Sequence, residues 1–198
     1  MAVRGKINIK QLLKKNYSNS KVFQNLAYGA AKKKADALKK EALREFDQHE
    51  VTKELEKGTS GMNSSLLGGR GNFFGFLGFN QGDQPVQIIR DILEDHIKIR
   101  NTKGKLKKVS PTSFQWEFGI DVPSKTEIYA VTPMAWSSKS WVKGVEGGIT
   151  NYAKTIFRDS ERSRSGIALQ SKRNIGFITF SPTPYITALL EKLRRELK

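Results

Sequence analysis

A chain of 198 residues holds one large domain or a domain with an arm, and can bury roughly 70% of the surface its unfolded form exposes. Its 35 Lys and Arg against 19 Asp and Glu leave a formal net charge of +16, which draws polyanions: nucleic acid, an anionic membrane surface or acidic protein faces. The absence of cysteine excludes disulfides and Cys-ligated metals, and no stretch approaches the roughly 20 apolar residues of a membrane span.

Residues 1–20 read as a basic arm. Eleven basic residues and one acid, Asp36, lie between Met1 and Lys40. Ile7, Ile9, Leu12 and Leu13 give the arm enough apolar surface to dock on a partner that orders it. The stretch lacks an apolar run of signal-peptide length, so a soluble chain synthesised in the cytoplasm is expected.

A single domain is expected from residue 21. Ser20 can cap a helix over 21–47. Phe23, Leu26, Ala27, Ala30, Ala31, Leu38, Ala42 and Phe46 recur at three- and four-residue steps, the signature of one buried face. Lys32, Lys33 and Lys34 interrupt that face, followed by Lys39 and Lys40. A short helix over Glu50–Lys57 stops at Gly58. Residues 58–84 form a glycine-punctuated loop carrying Phe73, Phe74, Phe76 and Phe79. Each phenylalanine is worth about 1.5–3 kcal/mol on burial, so the four belong to a core or an interface.

Pro85 opens a helix to residue 96, with Ile88, Ile89, Ile92 and Leu93 on one face. Segments 96–101 and 105–109 flank TKGK as a predicted hairpin. Phe114, Trp116, Phe118 and Ile120 alternate as a half-buried strand, and 125–132 alternates through Ile128 and Ala130. Residues 138–157 read as a helix weakened at Gly147 and Gly148. SRSGIALQ and NIGFITF read as strands. Pro182 or Pro184 opens a last amphipathic helix through Ile186, Leu189, Leu190, Leu193 and Leu197. Trp116, Trp136 and Trp141 are assigned to the core. The fold class is α+β: an antiparallel sheet packed by a long N-terminal helix, a middle helix and a C-terminal helix.

The inventory for chemistry is sparse. His49 and His96 belong to no metal-spaced pair, and His49, within FDQHEVTKEL, reads as a helix cap. GGRG is followed by NFF and not by GK[ST], so it is no phosphate loop, and no GxSxG elbow is present. Glu117, Asp121 and Lys125 form the one trio resembling a metal-dependent nuclease site. That chemistry needs the second acid and the lysine two residues apart; here they stand four apart with Pro123 between. RGNFFGFLGF approximates an RNA-recognition strand, but two extra residues after Gly71 break its register. Six basic residues without an acid crowd Lys98–Lys108, and Arg158, Arg162 and Arg164 suit phosphate or carboxylate. No catalytic residue, metal site or cofactor is expected.

Four strings carry a resemblance: FDQHEVTKEL at 46–55, NFFGFLGF at 72–79, MAW…SWVKGVEGGI at 134–149 and SRSGIALQ at 163–170. They resemble neck or tail-completion proteins of tailed bacteriophages, which sit between head connector and tail. The likeness spans about residues 40–190 and leaves the arm unmatched. It implies a virion structural protein without enzymatic activity or cofactor, repeated as a ring around the DNA channel. Its partners would be copies of itself, head-connector and tail proteins and packaged DNA, with no membrane. On that reading Phe73, Phe74, Phe76 and Phe79 anchor a subunit interface that Ile7, Ile9 and Leu12 of the arm extend. Lys32, Lys33, Lys34, Arg158, Arg162 and Arg164 would contact DNA or acidic partners. A basic nucleic-acid-binding protein and, further off, a nuclease are the alternatives.

Overall fold

A computed structural model describes residues 16, 20–69, 71–100, 102–109, 114–134, 137–148, 155–158, 168–170 and 182–197. For residues 108, 109, 114, 137, 155–158 and 168–170 the description is of the backbone. The fold is mixed α+β, mostly helical, with small antiparallel ladders. By its internal contacts the chain divides into two compact units: a smaller one, Met1–Lys39 with Ile97–Asp121, and a larger one, Lys40–His96 with Val122–Lys198.

Helix α1, Lys21–Gln48, starts where Ser20 predicts it, the Ser20 carbonyl accepting from the Gln24 N–H at 3.1 Å. At 1.5 Å per residue it is about 42 Å long and runs through the division between the units. Its expected buried face holds at Ala42 and Phe46 and fails at Leu26 and Ala30, which are exposed; Ala35, outside the expected set, is buried as well. The smaller unit offers little to cover that end: Ala35, Ile97 and Leu106 are its buried apolar side chains among the described residues.

In the smaller unit, β1 (Lys98–Ile99) pairs antiparallel with β4 (Ile120–Asp121), and β2 (Lys105–Val109) with β3 (Phe114–Glu117). The hairpin expected across TKGK is therefore corrected. β2 takes its partner downstream, because that register sets Leu106 opposite Trp116 and buries Leu106. A Cβ on Gly104 would lie 2.6 Å from the Phe118 ring, and Phe118 in turn meets Tyr28 of α1, centroids 6.2 Å apart. Glycine is thus required where the turn passes under that aromatic pair.

In the larger unit, α2 (Glu50–Glu56) follows α1 after one residue, and α3 (Phe73–Phe76) is short. Asn72 organises the glycine-rich segment: its Nδ2 donates to the Gly58 and Gly61 carbonyls at 2.8 and 2.9 Å. Its Oδ1 caps α3 by accepting from the Gly75 N–H at 2.6 Å. α4 (Pro85–His96) buries Val86, Ile89 and Leu93 but leaves Ile88 exposed.

Residues 125–132, expected as a strand, form helix α5 (Lys125–Val131). Ser124 Oγ accepts from the Glu127 N–H at 3.1 Å and Glu127 Oε2 from the Ser124 N–H at 2.7 Å, a reciprocal cap that outweighs the period-two pattern. β5 (Pro133–Met134) pairs with β6 (Ser137–Ser140), and α6 (Trp141–Gly147) is capped by Ser140. The long helix expected over 138–157 ends where Gly148 turns to φ +82°, and Thr155–Arg158 is strand β7, paired with β8 (Ala168–Gln170). The NIGFITF strand lies outside the described residues. α7 (Ile186–Glu196) closes the described chain as expected and buries Ile186, Leu190 and Leu193.

Candidate functional site

Charge is divided unequally between the units. The smaller carries 16 Lys and Arg against three Asp and Glu, a net +13 over 64 residues. The larger carries 19 against 16, a net +3 over 134. Two of the smaller unit's carboxylates are engaged. Asp121 Oδ1 accepts from Arg100 Nε and Nη2 at 2.8 and 2.6 Å, which pushes the Arg100 pKa up, and Glu117 pairs with Lys107 at 3.0 Å. Lys32, Lys33 and Lys34 of α1, Lys98 of β1, Lys103 before β2 and Lys105 within it are exposed. None has an ion-pair partner among the described residues.

The larger unit is built around Tyr185. Its ring stacks on Phe46 at 5.8 Å and lies 4.7 Å from His49 and 6.3 Å from Trp141. Its hydroxyl shares a 2.7 Å hydrogen bond with Thr52 Oγ1, and burial pushes the phenol pKa far above its ordinary value. Beside it, a shallow groove of about 290 Å³ runs between the end of α1 and α7. An ion pair crosses the groove: Lys192 pairs with Glu45 and, at 3.4 Å, with Glu41, which raises the Lys192 pKa. Arg90 of α4 reaches Asp47 at 2.7 Å and Glu56 at 2.8 Å. Glu146 of α6 accepts from the Tyr129 hydroxyl at 2.5 Å and from the Thr187 N–H at 2.6 Å, tying α5 and α6 to the first turn of α7. These polar groups tie the elements of the unit together.

His49 is the cap that FDQHEV predicts. Nδ1 accepts from the Val51 N–H at 3.2 Å, so Nε2 carries the proton and donates to the Pro184 carbonyl at 3.1 Å. Burial lowers its pKa below 6.5, against smaller upward effects of the Pro184 hydrogen bond and Glu50. The neutral imidazole therefore contributes stability in full above pH 6.5, and that contribution is lost as pH falls from there through the lowered folded value. Thermal melts followed by circular dichroism are expected to show Tm falling more steeply from pH 7 to 5 for the parent than for His49→Asn. Asparagine keeps a capping side chain that does not titrate.

Each member of the nuclease-like trio has an ion-pair partner outside it: Glu117 pairs with Lys107, Asp121 with Arg100, and Lys125 with Glu191 at 3.1 Å. No group of three or more metal-capable side chains occurs among the described residues. The expected phenylalanine anchor is corrected for two of its members. Phe73 and Phe74 are 0% and 2% exposed because α3 turns them into the core, whereas Phe76 and Phe79 stay half-buried. Trp141 is core at 1% exposure and Trp116 half-buried, while Trp136 lies outside the described residues. So do Ile7, Ile9, Leu12, Arg162 and Arg164, together with the Arg158 side chain. No described helix is long and apolar enough to cross a membrane. What sequence reading missed is the concentration of cations in one unit, since its two segments lie 57 residues apart in the chain. Comparison with protein-family models, curated proteins and solved structures found no match to this chain.

Proposed function

We propose that this chain is a structural assembly protein of a tailed-phage virion, repeated as a ring in the neck between head connector and tail, with no catalytic role. The observation that carries the reading is apolar surface left in water. Val22 and Leu26, one turn apart on α1, are 67% and 66% exposed, and Met62 in the glycine-rich segment is 68% exposed. Neighbouring large apolar side chains left exposed, as Val22 and Leu26 are, mark surfaces that partners cover. In the larger unit Phe76 and Phe79, half-buried beside the core, are proposed as a contact of their own, and Ile7, Ile9 and Leu12 of the arm are proposed to reach an adjacent copy. The motif likeness to neck and tail-completion proteins supplies the identity of the assembly.

Two measurements test this. Mass spectrometry of purified virions should find the chain in stoichiometric multiples with neck proteins. Light scattering of the purified chain should show concentration-dependent oligomers that Leu26→Glu reduces to monomer, with stability changed by about 0.5 kcal/mol or less because the site is exposed. A chain that stays monomeric at high concentration and is missing from virions defeats the proposal.

A further inference from the structure

We propose that the smaller unit holds a binding surface for the phosphate backbone of a nucleic-acid duplex, formed by Lys32, Lys33 and Lys34 on α1 and Lys98, Lys103 and Lys105 on the ladders. The surface is argued from charge and packing alone, so its test stands apart from that of virion membership.

The described part of this unit holds eleven Lys and Arg against three Asp and Glu, and two of those acids are consumed by Arg100 and Lys107. The six lysines named above are exposed and without ion-pair partners among the described residues. Crowded like charges destabilise a compact state through self-repulsion, and among the described residues this unit has few buried apolar side chains to offset it. A polyanion relieves that repulsion. The Tyr28–Phe118 contact fastens α1 to the ladders, so helix and ladder cations are presented by one body.

Composition separates the candidate polyanions. Fourteen of the unit's 16 cations are lysine. Lysine is a compact point charge suited to contact with a uniformly charged backbone, and it is depleted in protein–protein interfaces, where arginine and aromatic anchors are enriched. An acidic protein face therefore fits less well than phosphate. Unpaired strands would call for exposed aromatic side chains on which bases stack. The unit's aromatic side chains among the described residues, Phe23, Tyr28, Trp116 and Phe118, are all half-buried. A duplex needs no such platform, and phosphate contacts read no sequence.

The experiment is fluorescence anisotropy of the full chain with a labelled 25-base-pair duplex over a salt series. Each lysine neutralising a phosphate contributes about −0.9 to the slope of log K against log salt, so six give about −5. That corresponds to a loss of about 10³-fold in affinity between about 50 and 200 mM salt. The triple variants Lys32→Gln/Lys33→Gln/Lys34→Gln and Lys98→Gln/Lys103→Gln/Lys105→Gln are each expected to flatten the slope by about 3, across unrelated sequences. Both sets are exposed, and unchanged circular-dichroism melts confirm that the fold is kept. Lys53→Gln/Lys143→Gln in the larger unit should leave the slope unaltered. Parent-like slopes in both triple variants overturn the proposal. Equal flattening by the larger-unit control, tighter binding to polyglutamate than to duplex, or preference for the unpaired strand overturns it as well.

Discussion

Tyr185→Ala is expected to destabilise the larger unit by about 3–5 kcal/mol, among the largest losses any single substitution here should cause. The side chain is 2% exposed and touches three rings contributed by three parts of the chain: Phe46 of α1, His49 at the cap of α2 and Trp141 of α6. Removing it leaves a cavity that rigid neighbours cannot refill, so the cost combines lost burial with the void. Tyr185→Phe separates the two roles of the residue. It keeps the ring but strands the Thr52 hydroxyl, which is fully buried and 2.7 Å from its partner. An orphaned buried hydroxyl costs about 1–3 kcal/mol. Urea unfolding followed by circular dichroism should therefore rank parent, Tyr185→Phe and Tyr185→Ala in that order. Equal losses for the two variants would show that the hydroxyl pair, and not ring packing, holds this junction.

How much of this was legible in the sequence depended on which physical signal dominated locally. α1, α4 and α7 were readable because apolar residues at three- and four-residue steps persist over several turns. α5 was misread since a seven-residue helix shows too few turns to separate a period of 3.6 from a period of two. The signal that decides it was present nonetheless: SKTE at 124–127 is a capping box. β2 was given the wrong partner because TKGK has the composition of a hairpin turn. The Gly104–Phe118 approach, which occupies that turn with packing, is a tertiary fact. The basic surface escaped for a topological reason. Its cations come from residues 32–34 and 98–105, segments that composition alone reads as two separate solvated runs. The four phenylalanines could be narrowed by sequence to core or interface, and the choice between these rests on the pin made by Asn72.

That pin makes a second sharp contrast possible within five residues. Phe74→Ala is expected to cost about 3–5 kcal/mol, because Phe74 is buried and its ring packs 5.3 Å from Phe79, which itself meets Trp141 edge-on at 5.9 Å. Phe76 is stacked on Phe73 at 6.3 Å but only half-buried, so Phe76→Ala should cost about 1 kcal/mol. The two variants are expected to reverse their order in assembly. Phe76→Ala should weaken self-association at concentrations where the chain remains folded, whereas Phe74→Ala should lose assembly only as it unfolds. Denaturant unfolding and light scattering on the same samples read both quantities. If Phe76→Ala proves as destabilising as Phe74→Ala while leaving oligomers intact, the whole loop is core. The proposed contact between copies would then fall to the exposed face of α1 at Val22 and Leu26.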